Sequence, residues 1–175
     1  PIAPTDPALD VEHKLAAACV PLLARAWPRL VAGTLPFVEQ EHASATFCRK
    51  LQKDDGALDF AAPAAVLAAR INGLFPWPAC SVAIAGQPVK LGLAEATDSA
   101  TDAPPGTVLT GASDALRIAT GAGVLVVWRL QRPGGKLLPA AEFLRGFPVA
   151  AGTVLPSQPL PPLVAATPFP VVKKK

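Results

Sequence analysis

Two prolines at alternate positions in Phe75-Pro76-Trp77-Pro78 divide this chain more sharply than any other feature. A proline inside a helix removes a backbone donor and collides with the preceding turn, and it pushes the residue before it towards extended backbone. No helix can cross the block. Upstream, residues 62–74 read as a helix, with Pro63 early in its first turn and Val66, Leu67, Arg70 and Ile71 following. Phe75 and Trp77, with the two prolines, are expected to wedge that helix against the downstream half of the domain, leaving Trp77 largely buried. Downstream the pattern is β-like. Residues 81–85 and 88–96 are separated by Gly86-Gln87, a two-residue hairpin signal. Residues 106–110, 115–120 and 123–131 read as three further strands, with Gly121-Ala122-Gly123 as a tight connection. The last strand is apolar on both faces at its start, because Val124, Val126 and Trp128 alternate with Leu125 and Val127. Five short strands with glycine turns predict a small closed or nearly closed β-barrel. Residues 140–145 form a short helix on its rim, stopped by Gly146.

The flanks differ in character. Residues 7–32 carry Leu15, Ala18, Leu22, Ala26 and Leu30 at helical spacing, with Thr5 or Asp6 as the cap and Gly33 as the stop. Pro21 and Pro28 are expected to kink or segment this helix. Its apolar face has no partner nearby in sequence and predicts packing against a segment preceding Pro1, as in a piece of a longer protein. Residues 34–58 show no sustained periodicity and read as a linker, with Arg49, Lys50 and Lys53 followed by Asp54-Asp55-Gly56. Beyond Leu155 come six prolines, so the tail is expected to be extended. The predicted organisation is a detached N-terminal helix (1–33), a linker (34–58), a mainly β barrel (59–155) and a proline-rich tail (156–175).

Hydrophobic residues make up 51% of the chain and charged residues 17%, which is ample for a core. No apolar run approaches the ~18–20 residues of a membrane span, and no signal peptide is visible. The formal charge of +3 is supplied by Lys173, Lys174 and Lys175. After Phe60, seven bases before that tail face five acids, a mildly basic balance that permits a polyanionic partner. Cys19, Cys48 and Cys80 form no CxxC pair, which argues against a zinc site and a disulfide framework. They are expected to be buried small hydrophobes in a reducing cytosol.

Catalytic material is thin. His13 and His42 have no metal-ligand neighbour at helical or hairpin spacing, and no GxSxG, GxGxxG or P-loop pattern appears. Gly134-Gly135-Lys136 reads as a hairpin turn. Binding material is richer. Arg49, Lys50 and Lys53 sit on the linker, and Arg129, Arg132 and Lys136 sit at the end of a strand and in the loop after it. Such clusters can hold the regular backbone of RNA without reading its sequence.

Several blocks carry a family resemblance. Ala45-Thr46-Phe47-Cys48-Arg49-Lys50-Leu51 is similar to Ala-Thr-Tyr-Ala-Pro-Lys-Leu, and Lys53-Asp54-Asp55-Gly56-Ala57-Leu58-Asp59-Phe60 to Lys-Glu-Asp-Gly-Arg-Ile-Asp-Trp. Ile71-Asn72-Gly73-Leu74-Phe75-Pro76-Trp77-Pro78 is similar to Ile-Arg-Ala-Phe-Asn-Pro-Trp-Pro. Ala103-Pro104-Pro105-Gly106-Thr107-Val108 matches an Ala-Pro-Gly-Thr-Val block, and 140–146 with Ala151-Gly152-Thr153 a closing segment. In this order and spacing they resemble the C-terminal domain of bacterial methionyl-tRNA formyltransferases, and the first helix resembles the last helix of the formyltransferase domain.

That resemblance implies an OB-like, Greek-key barrel that helps hold initiator tRNA in translation initiation. It implies a cytoplasmic monomer acting with an N-terminal formyltransferase domain. That domain carries the folate pocket and a catalytic Asn, His and Asp, and moves a formyl group from 10-formyltetrahydrofolate to methionyl-tRNA. Neither His13, His42 nor Asn72 falls where those catalytic residues lie. This chain alone is therefore expected to hold no cofactor, no metal and no activity. Arg49, Lys50, Lys53, Arg129, Arg132 and Lys136 are the candidate tRNA contacts. Asn72 stands where the family has arginine, Arg49 where it has proline, and Phe60 where it has tryptophan. A sugar-nucleotide formyltransferase with a related barrel and a stand-alone RNA or protein interaction barrel are the alternatives.

Overall fold

The computed structural model describes residues 1–111 and 114–170 and divides the chain into two compact units. One comprises Pro1–Leu9 with Gln52–Pro161, and the other Asp10–Leu51 with the chain from Pro162 onward. The lysines at 173–175 lie outside the described residues.

In the first unit, helix α2 (Ala64–Leu74) packs on an antiparallel sheet. The sheet runs β2 (Cys80–Ile84), β3 (Gln87–Thr97), β5 (Val124–Gln131), β4 (Leu116–Ala119), and β6 (Leu138–Pro139) extends the β4 side of β5. Helix α3 (Ala140–Gly146) follows β6. Phe60, Leu67, Ile71, Leu91, Leu116, Ile118, Leu125 and Leu130 are fully buried between these elements. The β2–β3 turn is Ala85-Gly86, one residue earlier than the sequence signal, because Ile84 pairs with Gln87. Both turn residues have positive φ (49° and 76°), the requirement of the two-residue turn that matches strand twist, and glycine takes the second place without strain.

Two bulges bend the β3–β5 ladder. Leu91 pairs with Leu130 and Leu93 with Arg129, so Gly92 is extra on β3; Ala94 then pairs with Val127, so Trp128 is extra on β5. A Cβ on Gly92 would stand 2.6 Å from Leu137 Cδ1, so a side chain there would have to displace the end of Leu137. Bulges of this kind re-aim the residues after them.

The expected strand over 106–110 is a bridging segment instead. Its Leu109 N–H donates to the Arg117 carbonyl (2.9 Å) on one side, and its Val108 N–H to the Thr153 carbonyl (2.8 Å) on the other. The flanking Pro104-Pro105 and Gly111 keep it short. From that edge no pairing returns to β2 among the described residues, so the sheet is open and the expected closure is not found. Instead of another strand, the short helical turn Lys53–Gly56 lies beside β2.

Asn72 joins α2 to the sheet. The β2 pairing stops at Leu91, which leaves the β3 edge beyond it without a strand. There the Asn72 Oδ1 accepts from the Ala94 N–H (2.9 Å), and its Nδ2 donates to the carbonyls of Ala94 (2.8 Å) and Pro4 (3.1 Å). A carboxamide thus replaces the missing strand neighbour. Arg70 donates from Nε and Nη2 to the Asp55 carbonyl (3.1 and 2.8 Å) and from Nη2 to the Pro161 carbonyl (3.0 Å), tying down the turn and the start of the tail.

Trp77 is 60% exposed and is not the buried wedge anticipated from its motif. The Ala79 N–H donates to the Leu74 carbonyl (3.0 Å), closing a loop from its two ends. Leu74 and Ala79 are buried at its feet, and residues 75–78 stand out from it.

In the second unit, α1 (Ala8–Val31) begins in the first and runs on as a single element without a buried residue. Pro21 and Pro28 do not segment it. The carbonyls they leave without a helical donor, at Ala17 and Ala24, belong to exposed residues and are open to water. Gly33 (φ +67°) ends it as foreseen, with the Thr34 N–H donating to the Arg29 carbonyl (2.9 Å). Strands β1 (Phe47–Cys48) and β7 (Val164–Ala165) pair within this unit, so part of the tail is tied to part of the linker.

Three substitutions should separate these roles in chemical denaturation. Phe60→Ala removes a fully buried ring and should cost about 3–5 kcal/mol. Asn72→Ala leaves the Ala94 N–H and carbonyl unpaired and should cost roughly 1–3 kcal/mol. Trp77→Ala should change stability by less than about 1 kcal/mol.

Candidate nucleic-acid interface

Strand alternation makes the basic face. On β3, buried Val89 and Leu91 flank exposed Lys90, and Lys90 pairs with Gln131 of β5. Paired residues share a face of the sheet, so Lys90, Gln131 and, two residues before it, exposed Arg129 point the same way. The β5–β6 loop continues from Gln131. It is closed by the Gly135 N–H donating to the Arg132 carbonyl (3.0 Å) and by Gln131 Nε2 donating to the Gly135 carbonyl (2.7 Å). Gly134-Gly135-Lys136 is thus the turn expected, with Arg132 and Lys136 exposed on it.

Lys53, Lys90 and Arg132 line one groove of about 500 Å³, together with Pro78, Ser81, Val82, Ala83, Pro88 and Gln158. Its single carboxylate is Asp54. None of the three cations has an ion pair among the described residues. The Arg132 guanidinium lies 5.8 Å from the centre of the Phe147 ring, a contact that orients it while leaving donors free. Three cations against one anion around a concave groove suit a polyanion backbone.

Of the candidate residues, Lys53 and Arg132 therefore meet in this groove, and Arg129 and Lys136 belong to the same unit. Arg49 and Lys50 belong to the other unit. There Arg49 is engaged: Nη2 donates to the Pro162 carbonyl and Nη1 to the Lys50 carbonyl (both 3.3 Å), and the guanidinium lies 5.6 Å from the Phe169 ring centre. Lys90 was missing from the sequence candidates. Its signal was present in the alternation Val89-Lys90-Leu91, which a search for charge clusters passes over. Asn72, standing where the resemblance has arginine, is buried and structural.

Residues 50–148 match the formyl transferase C-terminal domain family. This chain belongs to that family. It is 40% identical over 152 residues to a methionyl-tRNA formyltransferase of Burkholderia ambifaria, an alignment covering 86% of this chain and 46% of the relative. It is 41% identical over the same span to that of Burkholderia thailandensis, with the same coverage. The chain thus spans about half the length of these curated relatives, and the resemblance drawn from residues 45–153 is borne out. Among solved structures, HypX from Aquifex aeolicus is similar with a TM-score of 0.59 at 18% identity, over 82% of this chain and 26% of that one. HypX in complex with tetrahydrofolic acid gives a TM-score of 0.54 at 19% identity, over 72% of this chain and 22% of that one.

Within this formyl transferase C-terminal domain the described residues offer no group of three or more His, Cys, Asp or Glu side chains able to hold a metal. No helix among them is long and apolar enough to cross a membrane. Cys80, on β2 between the groove residues Ala79 and Ser81, is fully buried. Burial pushes its thiol up to about 12, against the smaller opposing pull of Arg70. Cys19 and Cys48 are exposed, contrary to expectation, because α1 and β1 lie where nothing covers them among the described residues.

The thiolate is the reactive form, so at pH 8 Cys19 and Cys48 should react with a disulfide reagent while Cys80 reacts only after denaturation. The folded chain keeps the Cys80 proton where the unfolded chain, near the ordinary value of 9.0, releases it. Stability should therefore fall as pH rises from about 9 towards about 12. Equilibrium unfolding across that range checks the sign, and a Cys80→Ala chain should show a flatter profile.

Proposed function

We propose that this chain is the tRNA-holding C-terminal part of a methionyl-tRNA formyltransferase. Such an enzyme moves a formyl group from 10-formyltetrahydrofolate to the amino group of initiator methionyl-tRNA, a cytoplasmic step of translation initiation. The observation that carries the reading is the groove of Lys53, Lys90 and Arg132 inside the very segment that matches the family. An A-form helix offers phosphates and 2′-hydroxyls rather than readable base edges, so exposed cations on a fixed sheet suit it.

In this reading the chemistry belongs to an N-terminal half, which supplies the folate pocket and the catalytic Asn, His and Asp. Residues 1–33 are the last helix of that half. The exposed Leu15, Val20, Leu22, Leu23 and Trp27 on α1 support this, because apolar side chains in such number on one helix call for a covering surface. The linker is 34–58, the OB-like domain 59–155 and the proline-rich tail 156–175, and the enzyme acts as a monomer. Lys53, Arg129, Arg132 and Lys136, joined by Lys90, hold backbone phosphates, and Lys50 adds a contact from the linker. Arg49 serves first to hold the tail.

Titration of the chain with initiator tRNA should give weak binding that falls steeply with salt. Lys53→Glu, Lys90→Glu and Lys136→Glu together should lower the salt slope by about 2–3, since each lost phosphate contact removes roughly 0.7–0.9. Unchanged affinity and slope at low salt would refute the reading. The chain alone should give no formyl transfer in a folate-dependent assay, and turnover above background would overturn that division of labour.

A further inference from the structure

We infer that Trp77 is a stacking platform for an unpaired nucleotide whose neighbouring phosphates lie in the Lys53–Lys90–Arg132 groove. The inference rests on the RNA reading above and adds a second mode of contact to it. The observation is the exposure of Trp77. A large aromatic ring 60% open to solvent is not used by the fold, although the loop that carries it is firmly held. Leu74 and Ala79 are buried at the feet of that loop and joined by a 3.0 Å hydrogen bond. Pro76 and Pro78 fix φ at two of its four positions. A ring presented this way loses little conformational freedom when something settles on it.

The place matters as much as the exposure. Pro78, the next residue, lines the basic groove, so the loop that carries the ring adjoins it. Cations along a groove with an exposed aromatic beside it are what single-stranded nucleic acid requires: phosphates pair with the charges and a base covers the ring. The interior of a duplex cannot use the ring, because its bases are already stacked on one another. The groove therefore accepts any phosphate backbone, and Trp77 adds affinity only where a nucleotide is unpaired. The three cations against one carboxylate in the groove suit an anionic backbone rather than a neutral or basic protein surface.

The test uses the full chain and two RNA hairpins, one blunt and one with the same stem and an unpaired overhang. The parent should bind the overhang RNA about tenfold more tightly than the blunt one. Trp77→Ala should erase that difference, keep the blunt affinity and melt with the parent. Trp77→Phe should keep most of the difference. Tryptophan emission should be quenched by the overhang RNA in the parent and not in Trp77→Phe. A Trp77→Ala chain that still prefers the overhang, or a parent with no preference, overturns the platform and leaves the phosphate face standing. Binding of the overhang RNA with none of the blunt hairpin contradicts the duplex-backbone reading while supporting the platform. A parent that binds neither RNA overturns both.

Discussion

A single carboxamide ties the C-terminal end of α2 to the edge of β3. Beyond Leu91 the edge of β3 has lost its neighbour β2, and a buried edge with free N–H and carbonyl groups would be costly. Asn72 supplies both missing partners from α2. The other end of α2 is fixed as well, where the Ala64 N–H donates to the Ala122 carbonyl (2.9 Å) in the turn between β4 and β5. With both ends tied, the helix lies across β3 and β5, and its last residue, Leu74, sets where the 75–78 loop emerges. That loop leads directly into β2 and the wall of the basic groove. The position of the groove is thus a consequence of how the helix is anchored.

The chemistry of the face comes from the period of a strand. A strand with one side in the core must send every second residue to water, and here those residues are Ser81, Ala83, Lys90, Arg129 and Gln131. The face costs the fold little, because its charges are solvated when nothing is bound. Their proximity is a reserve of positive potential that an anionic backbone can neutralise. Burial governs the other groups. Cys80 lies one residue from the groove and stays a thiol because its side chain is turned into the core.

Most elements were legible in the sequence because they depend on local chemistry. The helix ending at Leu74, the strands over 80–97 and 116–131, the Gly33 stop and the 132–136 turn are each set by periodicity, proline or glycine. The features that were not legible depended on tertiary partners. Trp77 reads as core by residue type, but the hydrogen bond between Leu74 and Ala79 turns its loop outward. Residues 106–110 look like a regular strand and instead divide their bonds between two neighbours. Asn72 reads only as a departure from the family's arginine until the strand edge it completes is seen. Cys19 and Cys48 read as buried by type, yet burial needs a covering surface. Lys90 was hidden because its groove partners, Lys53 and Arg132, are far from it in the chain.

The central claim is that the RNA partner meets the outward face of the β2–β3–β5 sheet. Mapping amide chemical shifts of the isotope-labelled chain during titration with tRNA tests it residue by residue. The perturbed amides should gather at Lys53, Ser81, Lys90, Gln131, Arg132 and the loop carrying Trp77, and fade together as salt is raised. Perturbations confined to α1, or none at a concentration that saturates binding, would contradict it.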